Sequence, residues 1–294
     1  MKFLFAIFCF TPMVLFSVYL NYQIKRKHKK SKEPFSEKRL RSAGESAFEF
    51  SRLEFEELLY RLFGITIANF AGFVAVWSRE SISLQFVLLV WIVTSLVTLW
   101  FGRKLTEHWR TSQGYKLGAE GERVVGEQLM RDLLPKGFMV YHDLILDPNY
   151  ESKKFNIDHI VVGPTGVFAI ETKTRSKQRE EGRTAVKRDS DQIRFGGFID
   201  SNAIPQAQRA SNELKKFLGP CLPGRNRVDW AIAVPGWWTQ GVPQTDQVMN
   251  HKMLARFICE RRGNELSAND ISIISQMIAE KNRIEPVKRD PDRS

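Results

Sequence analysis

Two apolar strands joined by a turn are predicted by the stretch Asn156-Ile-Asp158-His-Ile-Val-Val-Gly-Pro-Thr-Gly-Val-Phe-Ala-Ile-Glu171-Thr-Lys173. A symmetric antiparallel loop centred on the Pro-Thr pair places Asp158 directly opposite Glu171, with Cβ atoms about 5 Å apart. Lys173 lies on the same face as Glu171, because side chains on a strand alternate between faces. Two carboxylates that close repel each other unless a cation lies between them. The stretch therefore predicts a divalent metal site with a lysine beside it.

The surroundings of this Glu-x-Lys triplet distinguish it from a second copy, Glu151-Ser-Lys153, which lies in a polar turn. Residues 167–170 are all apolar and are typical of a strand buried on both faces. A carboxylate and an ammonium are costly there unless they are paired or bound to a metal. The competing interpretation is a buried salt bridge from Asp158 or Glu171 to Lys173. It leaves net negative charge inside the sheet, so we favour the metal site.

An acid followed by Glu-x-Lys is also the order found in PD-(D/E)xK nucleases, and the wider pattern resembles the nuclease-related domain (NERD) family. The matching motifs are Gly118-Ala-Glu-Gly121-Glu122, the block from Ile157 to Lys173, and Ile204-Pro205-Gln-Ala-Gln208, where isoleucine replaces the asparagine common before the proline. The resemblance covers roughly 114–235.

This resemblance implies an α/β fold with a restriction-endonuclease-like mixed sheet flanked by helices, here preceded by a helical transmembrane region. It implies a nuclease that acts on DNA or RNA with Mg²⁺ or Mn²⁺. The catalytic residues that it implies are Glu122, Asp158, Glu171, Lys173 and Gln208.

Helical periodicity can be applied to the first of these residues. Residues 117–134 predict a helix that ends at Pro135-Lys-Gly137. One face of it carries Glu122 together with Val125, Leu129 and Leu133. Glu122 therefore points toward the sheet, where it could bind a second metal or orient the attacking water; the alternative is an acid that merely favours a helix N-terminus. Gln208 lies beside the apolar stripe of the next helix, and only the resemblance supports its role.

The chemistry follows from the residue types. Asp158, Glu171 and Glu122 are the predicted metal ligands, because hard cations such as Mg²⁺ prefer oxygen. The metal would activate a bound water and neutralise charge on the scissile phosphate. Lys173 would position that water or stabilise the transition state. Alternation directs His159 to the opposite face, so we interpret it as a packed histidine, and His142 as isolated.

The rest of the domain predicts a helix, a three-strand meander, a second helix and a fourth strand, with the outer strands at 138–146 and 230–234. A charged insertion from Thr174 to Ala203 is either a loop that meets nucleic acid or an ordinary solvated loop. Residues 191–198 suggest a short hairpin through Gly196-Gly197. Trp237-Trp238 could stack on bases, although a packed corner is the favoured interpretation.

Three uncharged apolar runs, 3–20, 62–77 and 84–101, predict membrane segments. The first lacks a cleavage site and indicates an uncleaved anchor. The other two indicate a transmembrane hairpin, although Asn69 and neighbouring glycines also fit a re-entrant segment. Lysines and arginines in 21–61 and at Arg103-Lys104 place the following domain in the cytoplasm. Residues 46–61 predict an amphipathic helix, either on the inner leaflet or packed on the soluble part.

Composition is compatible with several partners. The net charge of +11 over 294 residues suits nucleic acid and anionic lipid equally. The scattered cysteines argue against a zinc ribbon and a disulfide framework. The predicted organisation is an anchor at 1–20, a basic and amphipathic cytoplasmic segment at 21–61, a transmembrane hairpin at 62–101, the nuclease-like domain at 114–235, a helical extension at 236–283 and a disordered tail at 284–294.

These patterns together predict a membrane-anchored, metal-dependent nuclease on the cytoplasmic side of the inner membrane. One competing hypothesis is a catalytically silent module that binds nucleic acid. Another is a membrane scaffold or sensor that keeps the nuclease fold. The joint presence of Glu122, Asp158, Glu171 and Lys173 weighs against both, because a silent copy is free to lose any of them.

Overall fold

The computed structural model describes residues 39–81, 83–146, 156–177, 185–189, 191–223, 227–239 and 247–284. Contacts divide the chain into a helical unit, Arg52–Ser112, and an α/β unit formed by the described parts of 38–51 and 113–294. The predicted anchor, residues 21–38 of the segment after it, the Glu151-Ser-Lys153 turn and nearly all of the predicted tail lie outside the described residues.

The first two helices are longer than predicted. Helix α1 is Glu45–Trp77 and helix α2 is Leu84–Leu133. Each joins two segments that the sequence predicts separately: 46–61 with 62–77, and 84–101 with 117–134. Glycines at 102, 114 and 118 do not end α2, because a helical glycine costs only about 1 kcal/mol relative to alanine and no proline interrupts the run. Both helices are long and apolar enough to cross a membrane, judged by length and composition.

Within the helical unit, α1 and α2 contact each other through small and polar residues. Asn69 Nδ2 donates a hydrogen bond to Thr98 Oγ1 at 2.9 Å. A Cβ on Gly72 would come within 2.6 Å of Thr94 Cγ2, so the glycine permits the close approach of the two helices. Asn69 and Gly72 both lie within the continuous helix α1.

The remaining elements belong to the α/β unit. The helices are α3 (Ala203–Leu218), α4 (Leu254–Glu260) and α5 (Ala268–Lys281), with short 3₁₀ turns at Leu134–Lys136 and His251–Met253. The strands are, in chain order, β1 (Arg39–Leu40), β2 (Met139–Ile145), β3 (Asn156–Gly163), β4 (Gly166–Thr172), β5 (Ala185–Asp189), β6 (Gln192–Phe195), β7 (Phe198–Asp200), β8 (Val228–Ala233), β9 (Trp238–Thr239), β10 (Val248–Met249) and β11 (Arg283–Ile284).

The central sheet has the strand order β10-β8-β4-β3-β2. Strands β2, β3 and β4 form the predicted antiparallel meander, and β8 lies parallel to β4 after the α3 crossover. The β3–β4 register pairs Gly163 with Gly166, which confirms the predicted turn centre. The mixed α/β fold is therefore confirmed.

Helices cover both faces of this sheet. On one face, α3 and α5 pack against strand residues such as Ile160 and Ala169. On the other face, α2 and α4 pack around the fully buried Phe168. The predicted stripe of α2 is buried there, as the helical period requires: Val125, Leu129 and Leu133. Helix α5 begins at a capping box formed by Ser267 and Asp270.

A second sheet was not predicted from the sequence. It has the order β7-β6-β5-β9, and we call it the small sheet. Within the charged insertion, the sequence predicts only the β6–β7 hairpin, which turns at Gly196-Gly197 as expected. The strands are short, and their charged residues obscure the two-residue period, although Val186, Ile193 and Phe195 are all buried.

Candidate active site

Strands β3 and β4 bring two predicted carboxylates together. Their register, continued one pair beyond His159 and Ile170, sets Asp158 opposite Glu171. Asp158 Oδ2 accepts a hydrogen bond from the backbone N–H of Thr172 at 2.8 Å. The two acids are only 5% and 3% exposed, so the sheet holds both in a position where an unpaired charge is costly.

Lys173 lies just beyond the end of β4. Its Nζ donates to Glu171 Oε1 at 2.7 Å and to Gln206 Oε1 at 2.8 Å. Its backbone N–H donates to the carbonyl of Ala233 at 2.9 Å, which continues the pairing with β8. The side chain therefore has a fixed position beside the carboxylates.

The structure does not bring Gln208 to this cluster. Gln206 and Gln208 are two residues apart on an α-helix, so their side chains lie about 160° apart around the helix axis. Gln206 faces Lys173, whereas Gln208 is exposed to solvent on the outer side of α3. The placement that we expected of Gln208 is therefore taken by Gln206, which the sequence pattern passed over.

Glu122 reaches the cluster from α2. It is 8% exposed and accepts a hydrogen bond from the backbone N–H of Gly44. The preceding Gly121 lies against Thr174, where a Cβ would overlap the threonine hydroxyl. A glycine directly before Glu122 therefore allows α2 to approach the end of β4.

Burial dominates the electrostatics of these acids. It raises the pKa of Glu122 to about 8, and the carboxylates of Asp143 and Glu171 add to the shift. The pKa of Asp158 is raised well above its ordinary value by burial and by Glu171, and that of Glu171 is raised by burial. For Lys173, burial alone would lower the pKa, but the neighbouring carboxylates outweigh it and raise the pKa. The lysine is charged at neutral pH, but its single positive charge does not offset the three buried carboxylates.

The donor atoms of the cluster fit a hard divalent cation. Glu122 Oε2 and Glu171 Oε2 are both buried and have no hydrogen-bond partner among the described residues. Unpaired carboxylate oxygens in a buried site are what Mg²⁺ or Mn²⁺ would bind. Over the same residues, no three His, Cys, Asp or Glu side chains are arranged as a complete ligand set. Asp158 Oδ2 and Glu171 Oε1 are turned instead to their Thr172 and Lys173 partners.

A segment far upstream in the sequence also contributes to the site. Residues 39–46, which we call the strap, bind the fully buried Asp143 within β2. Arg41 Nε donates to Asp143 Oδ2 at 2.8 Å, and the N–H and hydroxyl of Ser46 both donate to the same oxygen at 2.9 Å. Asn156 Nδ2 donates to the other oxygen at 2.7 Å. Asp143 has a φ of 53°, a left-handed conformation that aspartate tolerates better than most residues.

This anchoring positions the Gly44 donor. Gly44 has a φ of 75°, and a Cβ there would come within 2.6 Å of the carbonyl oxygen of Ala119 on α2. Only glycine fits both the conformation and the contact. Sequence analysis missed the strap because Arg41 and Asp143 are 102 residues apart, and neither belongs to a recognisable motif.

The two histidines form a pair, so the interpretation of His142 as isolated is wrong. His142 and His159 face each other across β2 and β3, with their Nδ1 atoms 2.9 Å apart. His159 Nε2 lies 3.1 Å from Thr172 Oγ1. Burial lowers the pKa of His142 to about 4 and holds that of His159 well below its ordinary value. Both rings are neutral at pH 7, and His159 is a packed histidine, as the strand alternation indicates.

Comparisons with known proteins identify the segment that carries this cluster. Residues 117–235 match the family model described as NERD, nuclease-related domain. No curated protein and no solved structure matches the chain. The match begins within α2 and includes Glu122, Asp158, Glu171, Lys173 and Gln206, whereas the strap lies outside it.

Proposed function

We propose, taking residues 117–235 as a nuclease-related domain, that this protein hydrolyses phosphodiester bonds of DNA or RNA in a reaction that needs Mg²⁺ or Mn²⁺. The ion would be held by Glu122, Asp158 and Glu171. The observation that carries the proposal is the pair of buried carboxylate oxygens without partners, Glu122 Oε2 and Glu171 Oε2, beside a fixed lysine.

A bound divalent ion would neutralise the carboxylates, lower the pKa of a bound water and polarise the scissile phosphate. Lys173 supplies a permanent positive charge, because its raised pKa keeps the ammonium protonated. Glu171 and Gln206 accept two of its N–H groups, which leaves the third to donate to a phosphate oxygen as negative charge develops. Lys173 therefore acts in this proposal as an electrostatic stabiliser and not as a base.

Glu122 is the third oxygen ligand in this proposal. Its Oε2 has no hydrogen-bond partner among the described residues, so it would bind the ion or orient the water bound to that ion. Without metal, burial raises the pKa of Glu122 to about 8, and a bound cation would lower that pKa and keep the carboxylate charged. The Gly44 N–H fixes the carboxyl group from the other side.

The proposed location is a membrane, with α1 and α2 as a transmembrane hairpin and the α/β unit in the cytoplasm. The length and apolar composition of both helices support membrane association. Lysine and arginine residues concentrate before and after the hairpin, and such residues favour the cytoplasmic side. Nucleic acid and the lipid bilayer are the partners in this proposal.

The test is cleavage by the full chain purified in detergent. Single- and double-stranded DNA and RNA are incubated with the protein and its Glu171→Gln variant, in Mg²⁺, Mn²⁺ or EDTA. We expect cleavage only with metal, and a loss of at least about a hundredfold in the variant, since removing one stabilising group in an active site costs roughly 10²–10³ in kcat. Glu127→Gln, an exposed acid on α2, is the matched control and should cleave like the parent.

Two outcomes would count against the proposal. Cleavage that Glu171→Gln leaves intact would place the chemistry elsewhere. Binding of nucleic acid by the parent and the variant, with no cleavage under any metal, would support a silent binding module.

A further inference from the structure

The small sheet has one buried face and one face in solvent. Val186, Ile193 and Phe195 point inward and join a core with the start of α3 and with β8. Strand alternation and the register define the opposite face, which we call the outer face; it carries the half-buried Ala185 and the exposed Lys187, Asp189, Gln192, Arg194, Ile199 and Trp238. The outer face is therefore an exposed surface with two cations, one acid and two large apolar side chains.

Two cations lie at the centre of the outer face. Lys187 on β5 is directly opposite Arg194 on β6. Like charges in this arrangement destabilise a sheet. Asp189 compensates little, because its carboxylate is 3.9 Å from Arg194 and 73% exposed. A polyanion bound across the strands would relieve the repulsion.

Apolar side chains flank these cations. Trp238 is 69% exposed and Ile199 is 46% exposed, on the two outermost strands. The neighbouring Trp237 is buried, with its ring centroid 5.5 Å from that of Phe195, so Trp238 points away from the core. An exposed indole beside cations is the arrangement on which unpaired bases stack, whereas the bases of a duplex are already stacked on each other.

The small sheet is connected to the carboxylate cluster by short contacts. Arg175, two residues after Lys173, donates to Asp200 Oδ2 at 2.7 Å, and its carbonyl accepts from Trp237 Nε1 at 3.1 Å. Asp200 ends β7 and also accepts from the backbone N–H of Ala203 at 3.0 Å, at the start of α3. One network thus joins the small sheet, α3 and the end of β4, which carry the outer face, Gln206 and Glu171.

We infer that the outer face of the small sheet binds single-stranded nucleic acid and holds it beside the Glu171 cluster. This inference rests on the proposed nuclease function and names its substrate class. An indole next to basic residues also suits a lipid surface. The nucleic acid is favoured because the small sheet is joined to the catalytic strand through Arg175 and Asp200.

Binding to the full chain in detergent, measured in EDTA so that no cleavage occurs, tests the inference. The probes are fluorescein-labelled 20-nucleotide oligothymidine and oligouridine, and a 20-base-pair duplex, followed by anisotropy over a salt series. Trp238→Ala should weaken single-strand binding roughly fivefold to a hundredfold, since one stacked base contributes about 1–3 kcal/mol. Trp238→Phe should restore most of it.

The cations have a separate signature. Lys187→Ala with Arg194→Ala should lower the slope of log affinity against log salt by about 1.4, since each phosphate contact to a single strand contributes about 0.7. Lys252→Ala with Arg256→Ala, two exposed cations outside the small sheet, is the matched control and should leave the slope unchanged.

Three results would overturn the inference: equal binding by the parent and by Trp238→Ala, a preference for the duplex, or a salt slope that responds equally to both cation pairs. If Trp238→Ala lost binding to vesicles of phosphatidylglycerol and phosphatidylcholine but bound the oligonucleotides like the parent, the outer face would be assigned to lipid instead. The outcome is independent of turnover. If the outer-face variants bind oligonucleotide more weakly but the parent cleaves nothing, the binding surface stands and the nuclease proposal is rejected. If the parent cleaves but these variants bind like the parent, the nuclease proposal stands and the binding surface is rejected.

Discussion

At the residue scale, the site depends on how buried charges are compensated. Three carboxylates, Glu122, Asp158 and Glu171, share one ammonium, that of Lys173. Burial raises the pKa of each acid, because a buried carboxylate without a full counter-charge is costly. The position of Lys173 therefore matters as much as its charge, and that position depends on Gln206.

Two glutamines on α3 provide a matched comparison. Gln206→Ala removes one acceptor from the Lys173 ammonium, so we expect roughly a tenfold loss of cleavage, since a hydrogen bond to a charged group contributes about 1.5–3 kcal/mol. Gln208→Ala removes only an exposed side chain and should change cleavage less than about twofold. Steady-state kinetics on the full chain measure both. A larger effect at Gln208 would mean that the family pattern, and not the Lys173 contact, locates the functional glutamine.

Stability should depend on pH through Glu122. Its pKa rises from 4.5 to about 8 on folding, so between these values the folded chain keeps a proton that the unfolded chain releases. The stabilising effect is complete below about pH 4.5 and is lost as the pH rises toward 8. Without metal, the Tm of the full chain should therefore fall over this range, and Asp158 and Glu171 contribute in the same direction.

Differential scanning fluorimetry from pH 5 to 8 in EDTA measures this dependence. Glu122→Gln has no ionisable group at this position, so its Tm should fall by a few degrees less between pH 5 and 8 than that of the parent. About 1 kcal/mol shifts Tm by roughly 2–4 °C in a chain of this size. Glu127→Gln, on the exposed face of α2, should retain the parent slope. Identical slopes for all three proteins would show that Glu122 ionises normally.

At the scale of elements, the α/β unit extends beyond the segment that matches the family. The strap binds Asp143 on β2 and supplies the Gly44 donor to Glu122 on α2. Strand β1 of the same segment pairs with β11 near the C-terminus. A fragment that begins after α1 would lack these contacts, so the full chain is the form in which activity is to be measured.

Two arginines on the strap allow a buried ion pair to be compared with an exposed one. Arg41 is 14% exposed and bonds the buried Asp143, whereas Arg39 is 68% exposed and pairs with Glu45. Arg41→Ala should cost about 2 kcal/mol, within the range for hydrogen bonds to charged groups. That corresponds to a fall in Tm of roughly 4–8 °C. Cleavage should fall as well, because the Gly44 donor loses its anchoring.

Arg39→Ala is the control for this experiment. Exposed ion pairs contribute at most about 1 kcal/mol, so its Tm and activity should stay close to those of the parent. Equal losses in the two variants would mean that the strap acts through the exposed pair or through the backbone alone.

At the scale of the whole molecule, the proposed topology has the α1–α2 turn outside and the α/β unit in the cytoplasm. A chain whose three cysteines are changed to alanine allows each side to be labelled separately. Glu80→Cys, in the exposed turn, should react with a membrane-impermeant maleimide on intact cells. Lys215→Cys, exposed on α3, should react only after the cells are opened. Labelling of both from the same side would contradict the hairpin.

The sequence by itself determined the local chemistry of this protein. Strand alternation and a symmetric turn were sufficient to place Asp158 opposite Glu171, and helical periodicity was sufficient to bury the α2 stripe and direct Glu122 inward. These are short-range consequences of backbone geometry, so residue spacing encodes them. The motifs also carried the resemblance to the nuclease-related domain family, whose model matches residues 117–235.

Only the tertiary structure decided which distant residues complete the site. The orientation of α3 directs Gln206, and not Gln208, toward Lys173. Arg41 of the strap binds Asp143, 102 residues away, and His142 on β2 contacts His159 on β3. The small sheet formed from segments with no strong strand pattern, because burial of Val186, Ile193 and Phe195 against α3 and β8 stabilises it. Such contacts depend on how whole elements pack, and packing brings together residues whose separation along the chain carries no signal.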